Sequence, residues 1–500
     1  MDAISNLMMG FSIALQPEYL FYALVGCILG TITGVLPGLG PLGAMAILLS
    51  FTLSMDEKAA MILFAGIYYG AMYGGSITSI LLNVPGEAAS VVTCIDGYKM
   101  AQNGRAGAAL TISAIGSFIA GTISIIGLML AASALSKAAL QFGPAEFVAI
   151  GVCGLIILMR LSEASFLKSF IMVLVGLAIA TVGTDSISGV NRFTFGSYEM
   201  GQGIDFLPVA MGMFGIAEVL ATATAKDSGE KPLAISFREL MPTKEELKRS
   251  TAPIFRGSFL GFLIGLLPGP SPVISTFVSY IMEKKLSRHP EEFGKGAIEG
   301  VAGPEAANNA AVGGAYVPLL ALGMPFTPAM AVVLGALMLH NVTPGPNMIQ
   351  ERPDIFWTVI ASMYVGNCML VILNIPFVGV FTKIMDIDKP LLFTGIVILC
   401  FIGVYSVGAS YVDMMTLVAF GIFGYVIRGF GFPPAPMVLA MVVGPMIETS
   451  LRQALKIAGG DIGMIIFRPI SLTIYLLLIC ALAIPILVKA VHNRKLGRSQ

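Results

Sequence analysis

Residues 34–41 read Gly34-Val-Leu-Pro-Gly-Leu-Gly-Pro41, and residues 265–272 read Gly265-Leu-Leu-Pro-Gly-Pro-Ser-Pro272. Each octet follows a long apolar run, and each is trailed by a Gly-Gly…Pro segment. Proline and glycine leave backbone groups unpaired inside a hydrophobic span, and lipid offers those groups no partner. Such backbone persists only where protein or a polar cavity satisfies it. Interrupted helices at corresponding places in two halves mark the binding site of a secondary transporter. The octets therefore predict an all-α polytopic membrane protein made of two inverted-topology repeats. Each repeat carries discontinuous helices or re-entrant hairpins, and an extra C-terminal helix follows.

Composition agrees. Of 500 residues, 56% are hydrophobic and 12% charged, and the mean hydropathy is +0.87. A soluble chain carries about a quarter charged residues. Apolar runs long enough to span recur at 106–132, 166–182, 206–223, 394 to beyond 415, and 470–488. The net charge is zero, which gives no footprint for nucleic acid. The six cysteines stand singly in apolar stretches and read as small packing residues; no CxxC pair exists. Three dispersed histidines make no metal cluster. No Lys or Arg precedes Lys58, so the basic n-region of a cleavable signal peptide is not expected.

The first basic residue is Lys58, whereas 226–256 holds Lys226, Lys231, Arg238, Lys244, Lys248, Arg249 and Arg256, and the tail adds Lys489, Arg494, Lys495 and Arg498. The positive-inside rule places the central loop and the C-terminus in the cytoplasm and the N-terminus outside. Thr243-Lys-Glu-Glu246 reads as a capping box opening a short surface helix. Landmarks recur in the same order in the two halves. Pro37 answers to Pro268, Gly74-Gly75 to Gly313-Gly314, Pro85 to Pro325, Pro144 to Pro390 and Pro208 to Pro436. The expected organisation is a first repeat over 19–225, a cytoplasmic linker over 226–252, a second repeat over 253–450 and an added helix over 469–491.

Four segments combine helix breakers with polar side chains. They are the two octets, the run Gly74–Glu87 with Ser76, Thr78, Ser79 and Asn83 before Pro85-Gly86, and the run Gly303–Pro325 with Glu305, Asn308 and Asn309. Lys and Arg are missing from 59–98 and from 301–349. An anionic ligand there must be held by N–H groups at half-helix N-termini and by hydroxyls and amides. Each helix N-terminus offers about half a positive charge, too little for a di- or trivalent carboxylate, and co-transported cations could supply the rest. Glu87 and Glu305, beside Asn308 and Asn309, are places for them. The plainer alternatives stay open: Ser76–Ser79 as back-bonding or packing residues, and Glu87 and Asp96 as surface charges beside Lys99 and Arg105. Two adjacent amides in an apolar run need partners, which favours a site at Asn308-Asn309. Arg160 and Arg428 end apolar runs and read as snorkelling residues.

On these residues the chain resembles the large membrane subunit of tripartite tricarboxylate transporters, the TctA family. The resemblance rests on Gly34–Pro41, on Tyr69-Gly-Ala-Met-Tyr-Gly-Gly-Ser-Ile-Thr-Ser-Ile-Leu-Leu-Asn-Val-Pro-Gly-Glu-Ala-Ala89, on Asp96-Gly-Tyr98, and on Phe142–Glu146, Arg192–Gly196 and Gly203–Pro208. It implies a bacterial inner-membrane permease that works with a small four-helix membrane subunit and a periplasmic solute-binding protein. It implies import of a tricarboxylate or related carboxylate such as citrate, driven by a Na+ or H+ gradient without a cofactor. Carried onto this chain, the binding candidates are Pro37, Gly38, Gly40, Ser76, Thr78, Ser79, Asn83, Pro85 and Gly86. The internal alignment adds Pro268, Ser271, Asn308, Asn309 and Thr327. A channel is the rival reading, since glycine-rich broken helices also line pores. An intramembrane enzyme is the more distant one, because neither GxSxG nor GxGD occurs.

Overall fold

The computed structural model describes residues 3–36, 40–162, 164–185, 187–224, 241–384, 389–480 and 483. The expectations for Pro37, Gly38, residues 226–240 of the linker and most of the chain beyond 480 lie outside these residues. The first half runs α1 (Ala3–Ala14), α2 (Pro17–Val35), α3 (Gly40–Leu48), α4 (Glu57–Leu82), α5 (Val91–Gln102), α6 (Ala106–Ala139), α7 (Pro144–Leu161) and α8 (Phe166–Ala180). A small antiparallel hairpin, β1 (Gly183–Thr184) with β2 (Asn191–Arg192), leads to α9 (Phe206–Met211), a π-turn over Gly212–Ile216 and α10 (Ala217–Thr224). The second half runs α11 (Lys244–Gly265), α12 (Ser271–Leu286), α13 (Glu299–Leu322), α14 (Pro328–Leu339), α15 (Met348–Glu351) and α16 (Pro353–Asn374). It continues through α17 (Val378–Ile384), α18 (Lys389–Gly408), α19 (Tyr411–Gly429), α20 (Pro434–Ile457) and α21 (Ile462–Ile466). Among the described residues, eight helical segments are long and apolar enough to cross a membrane: α2, α4, α6, α7, the stretch 206–224, α16, α19 and α20. The chain is an all-α, multi-pass membrane protein.

Two helices form the centre. Every residue of α13 is buried, as is every residue of α4 from Ala59 to Leu81. Each is gripped by a neighbour through glycines four residues apart. A Cβ at Gly26, Gly30 or Gly34 of α2 would lie 2.5, 2.4 or 2.2 Å from the carbonyl oxygen of Leu63, Ile67 or Ala71 on α4. A Cβ at Gly257, Gly261 or Gly265 of α11 would lie 2.3, 2.1 or 2.5 Å from the carbonyl oxygen of Gly303, Ala307 or Ala311 on α13. Only small residues let two backbones approach so closely, and in a membrane that contact replaces the hydrophobic drive for association.

The central helices stop alike. Helix α4 ends on Asn83 at φ 56° and α13 on Gly323 at φ 72°, left-handed caps that release the last carbonyls from the helix path. Pro85 and Pro325 follow two residues later and prevent resumption. Four residues after each cap a new turn begins. Glu87 accepts from Ala89 N–H at 2.7 Å, and Thr327 accepts from Met330 N–H at 3.3 Å. Residues 74–82 are therefore the end of a continuous 26-residue helix, not a separate re-entrant hairpin.

The capping box at Thr243 and Glu246 forms, but its helix is not a short surface turn. It runs 22 residues, through Pro253, to Gly265. An interior proline costs about 3 kcal/mol, and here the close seam against α13 offsets it.

The β1–β2 hairpin is clasped to α20. Asp185 accepts from the N–H groups of Ile187 (2.8 Å) and Ser188 (2.9 Å), while Arg452 approaches its other oxygen at 2.9 Å and Arg192 bonds Glu448 at 2.8 Å. The Ser188 and Ile187 N–H groups, and after them Arg452 and Arg192, hold this carboxyl down at about 2. The folded value lies below the ordinary ~3.9, so the clasp is at full strength above that and is lost as pH falls through the folded value. Amide exchange at Ile187 and Ser188, corrected for intrinsic rate, is expected to accelerate as pH drops from about 4 toward 2. Protection that stays constant over that range would dismiss the clasp.

Candidate functional site

The polar side chains of α13 meet those of the first half on facing helix surfaces. Glu305 and Asn309 are four residues apart and share a face; Ser113 and Ser117 on α6 do the same. Ser113 Oγ donates to Glu305 at 3.1 Å, and Asn309 Nδ2 donates to Ser117 Oγ at 2.7 Å. Ser76 Oγ on α4 lies 2.5 Å from Glu305 Oε2, and Thr93 on α5 donates to Oε1. On the next face of α13, Asn308 Nδ2 donates to Glu87 Oε1 at 3.3 Å. Glu305, Asn308 and Asn309 are all buried. Thus the structure brings Ser76, Glu87, Glu305, Asn308 and Asn309 together, in one layer between α4, α5, α6 and α13.

Other candidates play local parts. Thr78 and Ser79 both donate to the carbonyl of Gly75 in their own helix, at 3.2 and 2.9 Å. Asn83 supplies the left-handed cap. Gly86 is wedged where a Cβ would fall 1.9 Å from the Gly34 carbonyl and 2.7 Å from Gly75 Cα. Gly40 opens α3 at φ 55° with nothing close to it. Pro268 lines a small cavity together with Met324, Pro325 and Phe326 and with Leu155 and Leu158 of α7. Ser271 is the first residue of α12, buried, and its Oγ has no hydrogen-bond partner among the described residues. The Oδ1 atoms of Asn308 and Asn309 are likewise unpartnered there. Unsatisfied buried acceptors of this kind need an explanation, and a bound solute or ion is one.

Asp96 is not a surface charge. It is fully buried and ties the chain before α13 to α5. Tyr280 Oη donates to Oδ2 at 2.8 Å, and the N–H groups of Gly294, Gly296 and Ala297 donate to Oδ1 at 2.8, 2.8 and 3.0 Å. Arg428 does more than snorkel: it pairs with Glu218 on α10 and contacts the Met213 carbonyl. The Arg160 guanidinium lies over the Phe166 ring, 5.1 Å from its centroid.

Arg428 also lines a cavity of about 450 Å³, together with Leu158, Ser162, Pro270, Pro328 and Pro434. Pro270 is the N-cap of α12, and Pro328 and Pro434 are the first residues of α14 and α20. Three helix N-termini, each a partial positive charge, therefore border one space. Sequence reasoning missed Arg428 as a wall of this space. It also missed Thr93, Ser113 and Ser117 as partners of α13, although the four-residue spacing of the two serines in an apolar helix was a usable signal.

Against known proteins, residues 20–439 match the tripartite tricarboxylate transporter TctA family. An uncharacterized 52.8 kDa protein in the TAR-I ttuC' 3' region of Agrobacterium vitis is 46% identical over 472 residues, which cover 94% of each chain. An uncharacterized protein in the TAR-II ttuC' 3' region of the same organism is 47% identical over 211 residues, 42% of this chain and 87% of that one. No solved structure matches. With nearly the whole membrane region matched and the interrupted helices in place, the chain belongs to the TctA family, as a large membrane subunit of a transporter and not an enzyme.

Proposed function

We propose that this chain is a gradient-driven carrier that imports a tricarboxylate or related carboxylate across a bacterial inner membrane. Its N-terminus is periplasmic and its C-terminus cytoplasmic. A periplasmic binding protein delivers the solute, and a small four-helix membrane subunit completes the permease. The coupling ion is Na+ or H+. One observation carries the reading: two helix pairs, α2–α4 and α11–α13, share a glycine seam of the same spacing, the same left-handed stop and the same new turn four residues on. That correspondence supports two inverted repeats joined by a linker over 226–252, with the helix over 469–491 added. The carboxylate is held where α12 and α14 begin, by N–H groups, Ser271 and Thr327, with Asn308 and Asn309 near the coupling ion. A 450 Å³ cavity is of the size that takes a small solute.

The test is uptake of labelled citrate into vesicles carrying this chain and its small partner, with the binding protein added and ion gradients imposed or dissipated. Saturable uptake that needs both receptor and gradient is the expected result; uptake indifferent to the gradient indicates a channel. Asn309→Ala is expected to abolish uptake while leaving insertion intact, and near-normal uptake would remove Asn309 from the site. A single cysteine placed within residues 241–250 should react with an impermeant maleimide only in inverted vesicles. Labelling of intact cells would overturn the topology.

A further inference from the structure

We propose that the carboxyl group of Glu305 is the proton-binding site of this transporter, so that H+ rather than Na+ is its coupling ion. The proposal rests on the carrier reading above and assigns the ion to a residue. A count of donors carries it. Ser76 Oγ lies 2.5 Å from Glu305 Oε2 and 3.1 Å from the Met72 carbonyl oxygen. A hydroxyl has one proton to give. Were Glu305 ionised, Ser76 would have to share its one proton between two acceptors and could give a full bond to only one of them. With a proton on Oε2, Glu305 donates to Ser76 Oγ and Ser76 donates to Met72, so both contacts are hydrogen bonds. Ser113 then gives its proton to a remaining lone pair of Oε2, at 3.1 Å, and Thr93 gives its proton to Oε1. Every donor is used, and the 2.5 Å separation falls in the range of an O–H···O bond.

The surroundings agree. Glu305 is 1% exposed, and among the described residues no Lys, Arg or His pairs with it. The groups that feel its charge are Glu87 beyond α4, Cys94 on α5 and Tyr73 on α4, none of them a cation. The other charges around α13 are already engaged. Arg256 of α11 holds Glu283 of α12, Arg249 of α11 holds Glu299 of α13 itself, and Asp96 of α5 holds Tyr280 and three backbone N–H groups. A carboxylate buried with no cation beside it carries a large desolvation cost that its neutral acid avoids. The acid sits on a second-half helix and its three hydroxyl partners on first-half helices. Parting α13 from α4, α5 and α6 exposes the carboxyl to water; the O–H bond at Oε2 breaks, the proton passes to water, and the carboxylate left behind is hydrated.

Infrared spectra of the purified full chain test the protonation without any substrate. A carbonyl band of a protonated carboxyl is expected at neutral pH, with a component lost in Glu305→Gln and kept in Glu87→Gln. A band unchanged by Glu305→Gln, or one abolished by NaCl at fixed pH, would overturn the proposal. In vesicles with both partner proteins and labelled citrate, a one-unit pH gradient sustains about tenfold accumulation per coupled proton. Glu305→Gln should only equilibrate citrate, with citrate exchange intact, and Glu305→Asp should still respond to the gradient. Accumulation equal to wild type in Glu305→Gln, or loss of exchange together with accumulation in a correctly inserted variant, assigns Glu305 no coupling role. Absence of wild-type citrate uptake under every gradient counts against citrate as the solute and leaves the infrared result to decide Glu305.

Discussion

Gly86→Val is expected to yield no correctly folded protein. The residue follows Pro85 at the stop of α4 and lies in the angle between the ends of α2 and α4. A Cβ there would sit 1.9 Å from the Gly34 carbonyl oxygen, 2.7 Å from Gly75 Cα and 2.8 Å from Thr78 Oγ1. Two of these three are backbone atoms of helices already in contact, so neither can yield without opening the seam. Overpacking in a core costs about 1–3 kcal/mol where side chains can shift. Where only backbone can move, a loss of roughly 4–5 kcal/mol or more is the reasonable scale. The measurement is the monodisperse fraction and the thermal midpoint of the purified variant in detergent, with Gly395→Val as the control, since Gly395 lies within α18 and has open space around it. A Gly86→Val protein with the wild-type midpoint would mean the α2–α4 seam is not packed as described.

The second large effect belongs to Asp96. Replacing it with alanine strips four donors of their acceptor at once: the Tyr280 hydroxyl and the N–H groups of Gly294, Gly296 and Ala297. Each buried donor left unpaired costs about 1–3 kcal/mol, less whatever water recovers. Removing one partner of a buried charged network typically costs about 3–5 kcal/mol. Asp96→Asn keeps one acceptor oxygen and should lose less. Thermal unfolding of both variants, alongside proteolysis of the 287–298 loop, would measure this. Equal stability of Asp96→Ala and wild type would return Asp96 to the role of an ordinary loop charge.

Much of the fold was readable from residues 34–41 and 265–272 because proline and glycine act locally. The stops at Asn83 and Gly323, the capping box at Thr243 and the spanning run from Ala106 all depend on neighbours a few positions away. What escaped depends on neighbours far along the chain. Helix α11 continues through Pro253 because Gly257, Gly261 and Gly265 meet α13, and nothing near Pro253 announces that. The run 206–224 carries a π-turn where Gly212 packs against the Leu417 carbonyl, 2.6 Å from where its Cβ would be. The candidate site divided in the same way. Glu305 and Asn309 stood out as polar residues in an apolar run, but their partners Ser113 and Ser117 lie 192 positions away. Thr78 and Ser79 stood out equally and turned out to serve their own helix.

The glycine seams also bear on the order of synthesis. Helices α2 and α4 are near neighbours in sequence and can zip together soon after both have entered the bilayer, as can α11 and α13. Domains of a growing chain fold from the N-terminus as they emerge. Ser76, Thr93 and Ser113 are therefore in the membrane long before the ribosome reaches Glu305. A truncated or stalled product leaves Thr93 and Ser113 with no acid to receive their protons, and a chain whose halves fail to meet leaves an unshielded acid in α13. Either is a polar flaw within the bilayer, the kind of defect by which a membrane protease can tell an unfinished transporter from a finished one.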